Sequence, residues 1–196
     1  MSAQAGSRWQ VLRAFIVDLQ ANLATKVTEE SARLATVFPE LDLYPGSGVA
    51  LQIPTVQSIQ IKMDTQAAVS VDMCPAVFIG GIGVTTWVSA ESMVGRQAFG
   101  NTPVEVAIYT SGSVNYSGTQ YELSEPELIY MSEALGQACV DAMRAGGTDS
   151  LWQQGAGVIN PQMDTFSING YVTTDNQETT AAKVLLTLQV GHEMRY

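Results

Sequence analysis

Histidine occurs once in this 196-residue chain and cysteine twice, and lysine and arginine together number nine against nineteen aspartates and glutamates. Each shortage removes a class of chemistry. Cys74 and Cys139 are far apart, form no CxxC pair and have no histidine near them in sequence, so a zinc site would need His192 and scattered carboxylates. The two thiols read instead as small buried hydrophobes. A hydrolytic nucleophile would need His192 as its base, yet that residue sits near the C-terminus in Gly191-His192-Glu193, and no G-x-S-x-G elbow is present. Gly81-Ile82-Gly83 follows an apolar segment as a dinucleotide turn would, but Thr86 holds the third glycine position and Val84, Thr85 and Thr86 do not open a helix. The expectation is no catalytic, metal or cofactor site. Long apolar runs are missing as well: the stretch 14–19 is broken by Asp18, and no window approaches the ~18 uncharged apolar residues of a membrane span. A cytoplasmic chain without a membrane partner is expected.

Positive charge is scarcest between Arg96 and Lys183. Arg144 is the one base there, against Glu105, Glu122, Glu125, Glu127, Glu133, Asp141, Asp149, Asp164, Asp175 and Glu178, in a chain of net charge −10. Attraction to a nucleic-acid backbone comes mainly from clustered Lys and Arg, so this half argues against a DNA-binding surface. It remains compatible with a wall past which DNA slides. With only 14% of residues charged, the surface carries less charge than an ordinary monomer does, which fits a surface partly covered by partners.

What the chain has in quantity is apolar residues, 46% of the total, enough at this length for one domain over 1–196 with a real core. Ser7-Arg8-Trp9-Gln10 fits a capping box, and Leu12, Phe15, Ile16, Leu19 and Leu23 behind it recur at helical spacing. From Thr28 the residues suit a separate short helix that Pro39 stops. Ile59, Ile61 and Met63, then Val69, Val71 and Met73, alternate with polar residues and predict two strands of a hairpin or meander, the second continuing into the doubly buried Pro75-Ala76-Val77-Phe78-Ile79. Residues 83–102 show no sustained period and suggest an irregular excursion from the sheet. Val104, Val106 and Ile108 mark a strand, 111–123 a Gly/Ser/Tyr-rich loop, and Ser124-Glu125-Pro126-Glu127 the cap of a second long helix. Its stripe is Leu128, Met131, Leu135, Ala138, Cys139 and Ala142, with Gly146-Gly147 as the stop. Strands over 165–172 and 182–190, the latter with Val184, Leu186, Leu188 and Val190 on one face, close the chain as an antiparallel hairpin. The fold class is α/β of the α+β type: a mixed, largely antiparallel sheet with two long helices packed on it.

Among the acids, those in or beside loops are placed to line an opening: Glu122, Glu125, Asp175 and Glu178. The acidic cluster Glu122, Glu125 and Glu127 offers a cation site, but two of the three sit where a helix N-terminus favours negative charge, so capping accounts for them. Trp87 and Trp152 lie in unpatterned segments and are candidate interface anchors, with satellite-core packing as the plain alternative.

The order of a helix, a strand PAVFI (75–79), a strand VEVAIYT (104–110), a helix and the alternating strand VLLTLQV (184–190) resembles the tail terminator proteins of tailed bacteriophages. The resemblance implies a homohexameric ring without enzymatic activity that caps the tail tube, joins it to the neck and connector, and lets DNA pass without specific binding. It implies a virion location, with the host cytoplasm during assembly. That family has no invariant catalytic or ligand motif, so no site residue carries over. The segments 83–102 and 111–123 are longer than a minimal member needs and leave open a neck stopper or tail-completion protein. Two readings of other classes stand beside it: a small carboxylate-dependent enzyme, which needs a deep pocket with perturbed carboxylates, and a monomeric binding module, which needs one apolar patch.

Overall fold

The computed structural model describes residues 8–39, 52–63, 65, 69, 73–81, 86–92, 95–116, 119–145, 160–172 and 180–195. Two helices pack on one face of a mixed sheet, an α+β arrangement. The first helix, α1 (Arg8–Val37), is one 30-residue element. No glycine or proline interrupts it, and the residues expected to start a second helix sit comfortably inside it. Lys26 pairs with Glu29 and Arg33 with Glu30 one turn apart, and the hydroxyls of Thr28 and Thr36 donate to the carbonyls four residues back. Pro39 follows the end, as expected. Ser7 of the proposed capping box lies outside the described residues.

Leu12, Phe15, Leu19, Leu23, Val27 and Leu34 form the buried stripe of α1. The second helix, α2 (Glu125–Arg144), buries all six residues of its expected stripe, and Ala134, Val140 and Met143 with them. It buries more than a stripe because it meets both α1 and the sheet. Phe38 at the end of α1 packs on Tyr130 near the start of α2, with ring centroids 4.6 Å apart, while the charge of Asp141 near the end of α2 reaches Lys26 midway along α1. The helices therefore run antiparallel. Gly146 and Gly147, the expected stop, lie outside the described residues.

The strands are β1 (Ser58–Ile61), β2 (Ala76–Gly81), β3 (Thr86–Ser92), β4 (Gly95–Ser111), β5 (Ser113–Tyr116), β6 (Thr119–Glu122), β7 (Asn160–Val172) and β8 (Thr180–Arg195). The main sheet runs β1-β2-β4-β8-β7, with β3 on the same edge of β4 as β2 but further along it. The closing β7–β8 hairpin is antiparallel, as its short connection predicts. Val77, Ile79, Val104, Val106 and Ile108 face the helices; Ala76, Phe78, Ala107 and Tyr109 alternate onto the opposite face. The continuously apolar β2 is thus buried on both sides, as a run of that composition should be.

Four expectations are corrected. First, the hairpin over 59–73 does not form: β1 pairs with β2 in parallel, Ser58 opposite Ala76 and Ile61 opposite Ile79. Met63, which continued the alternation, is fully exposed, Val69 and Met73 lie outside any strand, and Val71 lies outside the described residues. A parallel pair needs a crossover, the helices hold one face, and Val69, Met73 and Cys74 accordingly pack on the other. Second, the described part of the excursion over 83–102 is regular: β3 and β4 pair with Ser92 opposite Gly95, and β4 continues without a break into the central strand. This hairpin lies beyond β2, which ends at the Gly81–Val104 pair. Third, 111–123 is not a loop but the small antiparallel pair β5–β6. Fourth, α1 replaces the two helices expected over its length.

Candidate functional site

Glu122 ends β6 and Glu125 opens α2, and both are exposed. Alternation explains the first: Tyr121 and Leu123 turn toward the core and leave Gln120 and Glu122 outside. The hairpin is tied down by the Leu123 N–H donating to the Gly112 carbonyl at 2.6 Å and by Gln120 Nε2 donating to Ser113 Oγ at 2.6 Å. Glu127, the third member of this acidic group, does something else. It is buried, and its carboxylate accepts the Ser124 N–H at 2.6 Å, as a helix cap. The group is therefore a cap beside two solvated charges, and the ion pairs among the described residues, Lys26–Glu29 and Arg33–Glu30, belong to α1.

Asp175 and Glu178 lie outside the described residues, as does Trp152. The strands that flank this acidic pair in sequence end where Ser111 pairs with Ala181 and Ala181 with Tyr171, the same end of the sheet at which β5–β6 and the start of α2 leave β4. Trp87 falls in β3 opposite Gly100, whose other neighbour across the sheet is His192 of β8. The register puts the sole histidine and Trp87 on one cross-strand row, in the outer part of the sheet.

A cleft of about 610 Å³ runs between the second half of α1 and residues 52–59. Leu19, Leu23, Val27, Ile53, Val56 and Ile59 give it an apolar floor, and its polar lining is Ser, Thr and Gln. None of the described side chains lining it titrates, so they offer no group for proton transfer. Ser31 Oγ accepts the Ile53 N–H at 3.2 Å and holds the two walls together.

Sequence reasoning missed a polar cluster on the face away from the helices. Glu105 is 4% exposed, and its carboxylate accepts the hydroxyl of Thr65, itself buried in the crossover. The Tyr109 hydroxyl donates to the Thr65 carbonyl at 2.6 Å, and the Lys62 ammonium lies 3.9 Å from the centroid of the Phe78 ring. Gly80 makes the approach possible, since a Cβ there would stand 2.6 Å from Thr65 Cγ2 and 2.8 Å from the Lys62 carbonyl. The readable signal was Glu105 itself, the one charge in the otherwise apolar run 104–109.

Neither Cys74 nor Cys139 is in a disulfide. Burial pushes the Cys74 thiol up to about 11 and that of the fully buried Cys139 higher still, so neither is a thiolate at neutral pH. Among the described residues no three potential metal-ligating side chains come together, and no helix is long and apolar enough to cross a membrane. No protein-family model matches the chain, and no curated protein matches it.

Proposed function

We propose that the chain is a structural subunit of the phage neck, forming a sixfold ring that caps the tail tube and joins it to the connector while DNA passes through. The observation that carries this reading is the shape of the sheet. A 17-residue strand such as β4 spans roughly 55 Å at ~3.4 Å per residue, whereas a compact domain of this length has a radius of gyration of only about 16 Å and thus a diameter near 40 Å. The strand is too long for the globule. Its first half, with β3 on one side and the end of β8 on the other, extends past β1 and β2 as a three-stranded arm. Among the described residues no strand pairs with the outer edge of β3, and an open strand edge invites aggregation unless a neighbouring chain uses it.

Charge supports the same reading. A net charge of −10 suits a channel through which DNA must move without sticking, and the exposed pair Glu122 and Glu125 sits at the end of the sheet opposite the arm. The carboxylate-enzyme alternative is disfavoured by the arrangement of the described carboxylates, since Glu105 is enclosed by its own hydrogen bonds and Glu127 is committed to a cap.

Negative-stain images of the purified protein and a reconstruction of the virion neck test the proposal. Six copies in a ring with a central hole are expected, together with no mobility shift of duplex DNA at sub-micromolar protein. A single copy in the neck, or absence from the particle, overturns it; a ring found at the stopper level rather than on the tube end corrects the position alone.

A further inference from the structure

Among the described residues β7 is the last strand of the sheet on its side, and its two halves are different kinds of edge. The first half contains Pro161, Asp164 and a register shift between Met163 and Thr165. Proline, charge and a bulge are the three usual devices by which an edge strand refuses a partner. Residues 165–172, Thr-Phe-Ser-Ile-Asn-Gly-Tyr-Val, contain none of them. They pair with β8 without interruption from Thr165–Thr187 to Val172–Thr180 and bear no charge. One half of the edge is guarded and the other is a regular template for another strand.

The opposite side of the sheet ends in β1, four residues long, and β3, seven residues long. β3 has no proline and no basic residue, and its one acid, Glu91, stands next to the hairpin end. Its length matches the eight open residues of β7, and β1 reaches only half of them. Charge narrows the choice further. Copies that each carry −10 repel one another, so a seam between them has to run where each copy is nearly uncharged, and these two edges meet that condition. Pairing β7 with β7 would be self-complementary and stop at a dimer, whereas pairing two different edges propagates around a ring.

We propose that residues 165–172 of one copy pair with β3 of a second copy, continuing the main sheet across the subunit boundary. The inference rests on the ring assembly proposed above, and it names the seam.

Amide hydrogen exchange on the full chain, below and above the concentration at which sedimentation shows assembly and on protein in virion particles, tests it. Alternate amides within 165–172 and within Thr86–Ser92 are expected to slow by about tenfold or more on assembly, while those of β2 keep their rates. Ser167→Lys, which sets a charge in the open half, is expected to lower the assembled fraction, and Gln162→Lys in the guarded half is expected to leave it unchanged. Rings whose exchange is unaltered in either segment overturn the seam and leave the ring standing. A chain that stays monomeric at every concentration and is absent from particles overturns both.

Discussion

The two faces of the β2–β4 sheet are built on different principles. Toward the helices, Val77, Ile79, Val104, Val106 and Ile108 meet the apolar stripes of α1 and α2, and the contact is mostly non-directional burial. The exception is the buried Thr110–Ser132 hydroxyl pair, 2.7 Å apart, which joins β4 to α2. On the other face the described residues of the crossover are held by directed contacts: Thr65 on Glu105, Tyr109 on Thr65 and Lys62 over Phe78. A helix satisfies its own backbone and needs only an apolar stripe, while a crossover must find partners for its polar groups. The first face should tolerate exchange of one hydrophobe for another of similar volume, and the second should not.

The largest effect is expected on the helix face. Leu135→Ala removes a fully buried side chain from α2 and should cost about 2–5 kcal/mol, the range for large-to-small core changes. Glu133→Ala on the exposed side of the same helix should stay within about 0.5 kcal/mol. Equal shifts in denaturant midpoint for the two variants would break the assignment of that face.

On the crossover face Gly80→Ala is the sharper probe, because the new methyl meets a backbone carbonyl as well as a side chain. Overpacking of this kind costs about 1–3 kcal/mol. Tyr109→Phe, which deletes one hydroxyl and leaves the ring, should cost about 1 kcal/mol through the orphaned Thr65 carbonyl. Unfolding curves of both variants decide it: if Tyr109→Phe is neutral, the crossover is held by apolar contact alone and the contrast between the faces is lost.

The same contrast explains what the sequence made legible. The stripe of α2, its Glu127 cap, the central strand and the closing hairpin were readable because each obeys a local rule of period or spacing. The continuity of α1 was hidden because Thr28, Glu29 and Glu30 look like a helix start, and only their one-turn partners make them an interior. The parallel β1–β2 pair was hidden for a deeper reason: alternation predicts strands but not whom they pair with, and Met63 continued the pattern beyond the point where the sheet ends. The Glu105 cluster depends on Thr65, forty residues away in the chain, which no local rule reaches.

A weaker test separates the faces by pH. Cys139 belongs to the helix face and is fully buried, while Cys74 borders the crossover and is half-buried. Both folded thiols ionise above the 9.0 of a free thiol, so the unfolded chain holds fewer protons than the folded one once pH passes that value, and stability falls as pH rises. For Cys74 the loss should level off above its folded value of about 11, and for Cys139 it should continue. Denaturation of wild type and Cys74→Ala at pH 8, 9.5 and 11 measures the difference: the variant should lose less stability across this interval. Parallel slopes would place Cys74 in water.

The smallest effect on folding is expected where the two faces run out, at the acidic end of the sheet. Glu122→Lys changes an exposed strand residue, and Glu125→Lys reverses a charge in the first turn of α2, where the helix dipole makes the change cost about 0.3–1 kcal/mol. The doubly substituted chain should therefore fold and assemble. If these acids line a ring opening, the consequence appears instead in DNA movement, because sixfold repetition turns two lysines per subunit into a belt of positive charge whose reach is roughly 8–10 Å in physiological salt. Phage carrying Glu122→Lys with Glu125→Lys should assemble normally and release the genome more slowly, and a second phage with Asp175→Lys and Glu178→Lys asks the same of the β7–β8 connection. Slowing in at least one of the two is expected. Wild-type delivery by both would remove the channel wall from the reading and leave the acids as a solubility feature of an exposed hairpin and helix start.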